Sequence, residues 1–190
     1  MAKTGERKAQ ILQTLAAMLE EPKGERITTA LLAARLDVSE AALYRHFASK
    51  AQMFEGLIEF IEQTVFTLVN KIQAEEADPM KQVEATIATL LGFAQKNPGM
   101  TRVLIGDALV NEDERLQVRM NQFLDRLEAS LRQSARLAAS AGTLPADWDV
   151  NAYANAVIAF VVGRWHQFAK SGFKRAPMES WPQQWRIFAA

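Results

Sequence analysis

The sequence contains no cysteine among its 190 residues. This absence excludes disulfides, thiolate zinc sites, iron–sulfur clusters and cysteine nucleophiles together. No apolar run approaches the ~20 residues that a membrane-spanning helix needs. Charges are scattered through the first 21 residues, which argues against a secretory signal. We therefore expect a cytoplasmic protein that has no membrane partner.

The net charge is zero, because 22 Lys and Arg residues balance 22 Asp and Glu residues. This balance excludes a nucleic-acid binder that is basic throughout, but it permits a local basic surface. The two histidines, His46 and His166, have no carboxylate at helical spacing, so no metal site is predicted. Phosphate-binding glycine loops, nucleophile elbows and His-Glu-x-x-His motifs are missing too. We expect no catalytic residues, no cofactor and no enzymatic activity.

Glycine and proline are sparse, with nine and six residues, and strand-like alternation of apolar residues is lacking. Apolar residues recur instead at helical spacing, which predicts an all-α fold. About nine helices are predicted, near residues 4–21, 28–35, 39–46, 50–76, 79–95, 98–109, 112–140, 147–171 and 179–189. We predict two units: a helix-turn-helix DNA-binding domain over 1–49, and a helical domain for dimerisation and partner or ligand binding over 50–190.

The helix-turn-helix prediction depends on short helices with clear starting signals. Thr28 or Thr29, then Ser39 and Ser49, are suited to cap three successive helices, and Gln52 completes a capping box. Only three residues, 36–38, separate the second and third helices, which is typical of a helix-turn-helix. The predicted core of this module consists of Leu31, Leu32, Leu36, Val38, Leu43 and Phe47.

Two longer helices show informative faces. In the fourth helix Met53 and Phe60 lie to one side of a predicted core stripe made of Phe54, Leu57, Ile58, Ile61, Val65, Leu68 and Ile72. The eighth helix has a small face, Ala152, Ala156, Ala159 and Gly163, opposite a bulky face, Tyr153, Val157, Phe160, Val161 and Trp165. A helix that is apolar on two sides is central in its domain or shared with a second chain. We predict a homodimer.

Residues 39–50 read Ser-Glu-Ala-Ala-Leu-Tyr-Arg-His-Phe-Ala-Ser-Lys. A cap, two small residues, Leu-Tyr-x-His-Phe and a downstream Ser-Lys resemble the recognition helix of the TetR family of DNA-binding regulators. Leu43 and Phe47 can be buried together, while Ala42 is small enough to admit a base edge. Arg45 can reach guanine or phosphate, and Tyr44 and His46 can donate to phosphates.

The resemblance implies phosphate contacts from Thr28, Tyr44 and Lys50 and base contacts near Ala42. Free backbone N–H groups at a helix start also favour an anion near Thr28 and Thr29. The partner is expected to be a double-stranded DNA palindrome. The predicted DNA-binding set is Thr28, Thr29, Ser39, Ala42, Tyr44, Arg45, His46 and Lys50.

Further segments resemble one branch of that family, the nucleoid-occlusion factors. They are Ile27-Thr-Thr-Ala, Leu57-Ile-Glu-Phe-Ile-Glu, Leu91-Gly-Phe, Asn97-Pro-Gly-x-Thr-Arg and Gly106-x-Ala-Leu. The last three lie beyond the DNA-binding module, where ordinary TetR-like regulators share almost nothing. Members of this branch bind palindromic DNA as dimers and block assembly of the tubulin-like division protein FtsZ.

The resemblance therefore implies a nucleoid-associated protein whose FtsZ-facing residues are Phe60, Gly92, Lys96 and Asn97. The sequence departs from the branch at Leu68 and Thr89, where an arginine and a leucine are expected. A ligand-responsive TetR-type transcriptional repressor, which would bind a small molecule, is the alternative. An enzyme or a pure scaffold on the same fold is disfavoured, because the recognition helix is intact and catalytic motifs are absent.

Overall fold

The computed structural model describes residues 4–21, 27–145 and 147–189. These residues form nine α-helices, one 3-10 turn and no strand, so the all-α prediction is confirmed. The helices are α1 (Thr4–Glu20), α2 (Thr29–Arg35), α3 (Glu40–Tyr44), α4 (Lys50–Glu75), α5 (Pro79–Lys96), α6 (Pro98–Leu104), α7 (Glu114–Ser140), α8 (Val150–Lys170) and α9 (Trp181–Phe188). Most ends lie within two residues of the predicted ones.

Serine and threonine side chains start the helices of the N-terminal module. The Thr28 hydroxyl accepts from the Leu31 amide at 3.2 Å, so Thr28 and not Thr29 caps α2. Ser39 caps α3 and Ser49 caps α4 in the same way. The Gln52 side-chain oxygen accepts from the Ala48 amide at 2.8 Å, one residue before the cap, so the predicted capping box is displaced by one residue. Each cap satisfies an amide that the helix itself leaves unpaired.

The turn between α2 and α3 depends on one left-handed residue. Asp37 has a φ of 52°, which aspartate tolerates better than most residues, and the Val38 amide then bonds back to the Ala33 carbonyl at 3.0 Å. Leu32, Leu43 and Phe47 are buried behind this turn, as predicted, while Leu36 and Val38 are partly buried. The prediction for Leu31 is wrong: it is 37% exposed, and Ala33 is the buried residue in its place.

The buried face of α4 rotates along the helix. Met53 is fully buried although it was predicted to lie off the core stripe, and Val69 is buried instead of the predicted Leu68, which is 41% exposed. At ~100° per residue the buried face turns by about 160° from Met53 to Val69. A single straight stripe fails because α4 packs first against α1 and later against α5 and α7. Phe60 is 47% exposed, as predicted.

The predicted sixth helix, 98–109, is interrupted. The α-helix ends at Leu104, Gly106 adopts a left-handed φ of 76°, and a 3-10 turn follows over Asp107–Leu109. The backbone conformation favours glycine here, because a side chain would strain a left-handed φ; the nearest atom to an added Cβ is only the movable end of the Gln117 side chain. The periodicity of apolar residues continues through the break and therefore does not reveal it.

The two predicted faces of α8 are confirmed. Its bulky face packs inward, with the Trp165 indole donating to the Leu90 carbonyl of α5 at 3.1 Å, and its small residues lie exposed. Helix α9 covers Phe160, whose ring centroid is 5.1 Å from that of Phe188. The Tyr153 hydroxyl fastens the end of α9 by donating to the Phe188 carbonyl at 2.9 Å. In the described part of the chain, no helix is long and apolar enough to cross a membrane.

Candidate nucleic-acid interface

Helix α3 presents one face outward and buries the other. Leu43 and Phe47 are buried, whereas Tyr44 is 46% exposed and Arg45 is exposed beside it. Ala42 is partly exposed at the middle of the helix. The α-helix is shorter than predicted, because Arg45 is its C-cap and His46 lies beyond it. The outer face therefore combines a small residue with donors of different reach, which suits a surface that enters the major groove.

A hydroxyl chain joins α2 to α3. The Tyr44 hydroxyl donates to Thr29 Oγ1 at 3.4 Å, and the Thr29 hydroxyl donates to Glu40 Oε2 at 2.6 Å. The structure thus brings together two of the predicted DNA-binding residues, and it adds Glu40, which the sequence reasoning missed. An acidic residue in the first turn of α3 is favourable to the helix in any case, so its presence gives no separate signal of this contact.

The remaining hydroxyl and imidazole groups lie close to the same face. The side-chain oxygens of Thr28 and Ser39 accept backbone amides as caps, which leaves each hydroxyl proton available as a donor. His46 is partly buried, and its Nδ1 makes no hydrogen bond with any residue that the structure describes. The two hydroxyls place donors beside the outer face of α3.

Lys50 is directed elsewhere. Its ammonium lies 2.5 Å from Glu112 Oε1, in the connection between α6 and α7, and 5.6 Å from the centre of the Phe54 ring. The structure therefore does not group Lys50 with Tyr44 and Thr29. No local pattern could have revealed Glu112, since 62 residues separate it from Lys50.

The predicted partner-binding residues lie on α4, on α5 and just after it. Helices α4 and α5 are joined by three residues, 76–78, so Phe60 lies at about the same height along the pair as Gly92 and Lys96. A Cβ on Gly92 would meet no atom within 4 Å, and Lys96 is exposed. The Asn97 side chain is already engaged, since its amide donates to the Phe93 carbonyl at 2.7 Å.

A cleft of about 540 Å³ lies between the end of α1, α6 and the segment that follows α8. Its lining includes Glu20, Arg102, Asp107, Lys170 and Lys174. The Lys170 ammonium is 2.5 Å from Asp107 Oδ1, and Arg102 donates to the Leu19 carbonyl at 3.3 Å. Among the residues that the structure describes, no group of three or more His, Asp or Glu side chains could hold a metal ion.

Two family models match the chain. Residues 11–57 match the bacterial regulatory proteins of the tetR family, and residues 77–190 match the SlmA-like model described as a tetracyclin repressor-like C-terminal domain. The nucleoid occlusion factor SlmA of Marinomonas sp. is 50% identical over 98% of this chain and 95% of its own length. The chain belongs to the SlmA-like family of TetR-type regulators.

A second SlmA relative, from Alteromonas mediterranea, is 52% identical over 96% of this chain and 93% of its own length. Among solved structures, the TetR family transcriptional regulator PfmR from Thermus thermophilus has a TM-score of 0.80 over 95% of this chain and 97% of its own. At 22% identity, that likeness concerns the fold alone. The predictions of a TetR-like fold, of SlmA-like membership and of a DNA-binding regulator that is not an enzyme are confirmed.

Proposed function

We propose that this SlmA-like protein is a nucleoid occlusion factor: a dimer that binds palindromic DNA through α2 and α3 and restrains FtsZ assembly over the chromosome. The observation that carries this proposal is near-full-length identity of about 50% to nucleoid occlusion factors, including the segment beyond the DNA-binding module. Ordinary TetR-type neighbours of the same fold are far less similar in sequence.

The DNA-binding part of the proposal rests on the outer face of α3. Exposed Tyr44 and Arg45, with the hydroxyls of Thr28, Thr29 and Ser39 around them, offer donors to phosphate oxygens and base edges. Phosphate contacts carry no sequence information, so the tyrosine hydroxyl contributes to specific and non-specific binding alike.

A test of the DNA-binding part of the proposal removes one hydroxyl group. Tyr44→Phe weakens binding to a palindromic duplex and to an unrelated duplex by similar factors in a gel-shift titration. The chain has one other tyrosine, and Tyr153→Phe is the matched control, because its hydroxyl bonds to the Phe188 carbonyl of α9. Equal affinities for wild type and Tyr44→Phe on both duplexes would contradict the assignment.

The partner-binding part of the proposal rests on Phe60, which is 47% exposed on α4, and on the open surface at Gly92, at a similar height on α5. An exposed aromatic ring is a common anchor of protein interfaces, and a lysine beside it favours an acidic partner segment. Lys96 supplies that charge. Asn97 holds the turn after α5 through its bond to Phe93, so its proposed contribution is to the shape of this surface.

Phe60→Ala combined with Lys96→Glu removes the effect on FtsZ assembly while DNA affinity stays near that of wild type. Ile187→Ala is the control, since Ile187 is 72% exposed on α9, away from α4 and α5. Circular dichroism checks the fold. Truncating the half-exposed Phe60 is expected to lower the free energy of unfolding by far less than the ~3–5 kcal/mol that truncating a buried phenylalanine costs. Loss of DNA binding together with FtsZ binding would contradict a separate partner surface.

The ligand-responsive repressor remains the second candidate. The cleft lined by Arg102, Asp107 and Lys170 is its nearest structural support, but Arg102 and Lys170 already pair with Asp107. Small-molecule sites are usually apolar with a few unpaired polar groups. Wild-type protein that binds DNA but leaves FtsZ assembly unchanged would make this candidate the leading one.

A further inference from the structure

The ammonium group of Lys50 is held by a carboxylate from the connection between α6 and α7. Lys50 is the first residue of α4, directly after the Ser49 cap, and its Nζ lies 2.5 Å from Glu112 Oε1. Nζ also lies 5.6 Å from the ring centre of Phe54, one turn further along α4. The Lys50 side chain therefore extends along α4 toward Phe54, in the direction away from α3.

The pair is sheltered from water. The Lys50 side chain is 21% exposed and the Glu112 side chain 10% exposed. A pair with this little exposure is screened less than the exposed surface pairs, which contribute almost nothing. The Lys50 ammonium is therefore held by an attraction that DNA phosphate must exceed before the side chain can turn away.

Glu112 belongs to a segment that is fastened to the N-terminal module. Gly99 of α6 lies so close to α1 that a Cβ there would be 2.0 Å from the Ala16 carbonyl oxygen. Arg102 of α6 donates to the Leu19 carbonyl at the end of α1. Helix α6 and the connection after it therefore hold the module at α1 and, through Glu112, at the start of α4.

We propose that Glu112 competes with DNA phosphate for Lys50, so that a carboxylate of the C-terminal domain sets the DNA affinity. In the free protein the ammonium pairs with Glu112; on DNA it turns toward a phosphate and the pair opens. The inference rests on the proposed DNA-binding function. It makes Glu112 an affinity-determining residue that does not itself touch DNA.

The first test is the DNA affinity of Glu112→Gln, measured at several salt concentrations. Loss of the competing charge makes binding several-fold tighter to any duplex, while the slope of log K against log salt stays close to that of wild type, because Lys50 neutralises the same phosphate in both bound proteins. Glu114→Gln is the matched control: it removes the same charge two residues away, on an exposed side chain. That variant changes affinity much less.

A double-mutant cycle distinguishes competition for Lys50 from a general repulsion between the Glu112 carboxylate and DNA. In a Lys50→Ala background, Glu112→Gln produces no further tightening, because the group for which Glu112 competes is gone. Equal gains from Glu112→Gln with and without Lys50 would overturn the proposal. So would equal affinities of Glu112→Gln and Glu114→Gln.

The second test needs no variant. A water-soluble carbodiimide joins a lysine and a carboxylate in direct contact as an amide, and mass spectrometry quantifies the Lys50–Glu112 product. A saturating palindromic duplex lowers its yield several-fold, while the Lys170–Asp107 product, from another pair at 2.5 Å, stays constant. An unchanged Lys50–Glu112 yield on bound DNA overturns the proposal. No binding to any duplex at low salt would instead refute the DNA-binding function itself, and the inference would fall with it.

Discussion

At the scale of single residues, Thr28 has two separate tasks. Its oxygen caps α2, and its hydroxyl proton stays available as a donor for the proposed contact with DNA. Thr28→Ala lowers the free energy of unfolding by about 1 kcal/mol, the usual effect of losing an N-cap. Thr28→Ser keeps the cap and stays close to wild type. Guanidinium unfolding curves of the three proteins measure this, and a wild-type midpoint for Thr28→Ala would contradict the capping role.

Asp113 gives the protein a pH dependence beside Glu112. Its hydrogen bonds to the Arg115 side chain and amide, together with that guanidinium charge, lower the pKa of Asp113 to about 2 from its ordinary 3.8. Because the folded-state pKa is the lower one, the stabilisation is complete above pH ~4 and is lost as the pH falls toward 2. Wild type is therefore more stable than Asp113→Asn at pH 5, and the difference disappears near pH 2. Unfolding midpoints across this range test it; a difference that does not vary with pH would contradict it.

Local signals predicted residues whose partners are near in sequence. Thr28, Ser39 and Ser49 cap the helices as expected, because each cap bonds within three residues. Glu40 and Glu112 were missed for opposite reasons. Glu40 has an adequate local explanation, and Glu112 meets Lys50 only after folding has brought residues 62 positions apart together.

At the scale of helices, α6 is fixed to α1 by close backbone approach. Gly99→Ala places a methyl group 2.0 Å from a backbone oxygen, so the helices must separate, and we expect a loss of about 1–3 kcal/mol in unfolding free energy. Gly5→Ala, in open space on α1, leaves stability at or above wild type. Thermal unfolding compares the two. A Gly99→Ala protein as stable as Gly5→Ala would contradict the close packing.

Helix existence was predictable, but the buried face of a long helix was not. The nine helices follow from the 3.6-residue spacing of apolar residues, whereas Met53 and Leu68 were assigned wrongly. Periodicity assumes that one neighbour covers a helix along its length. Helix α4 has different neighbours at its two ends, since Gly56 adjoins Leu12 of α1 and Gln73 bonds to Ser130 of α7. The break at Gly106 depends on a left-handed backbone, which the spacing of apolar residues does not record.

At the scale of the whole molecule, the exposed small face of α8 is the expected dimer contact. A Cβ on Gly163 would meet no atom within 4 Å of the same chain, so this face is open to close approach by a partner helix. Ala159→Glu places a charge in that contact and lowers the mass measured by light scattering to that of one chain. Ala17→Glu, the same change on the exposed side of α1, leaves the dimer intact. A monomeric wild type at micromolar concentration would contradict the prediction.

The most direct test of the proposed function is sedimentation of FtsZ polymers in the presence of this protein. Wild-type protein bound to a palindromic duplex is expected to reduce the amount of pelleted FtsZ, and a scrambled duplex of the same length is expected to be less effective at the same concentration. The Phe60→Ala, Lys96→Glu protein, bound to the same palindrome, is expected to leave the pellet unchanged. A pellet that wild-type protein does not alter, with its DNA binding verified in the same buffer, would contradict a role in nucleoid occlusion.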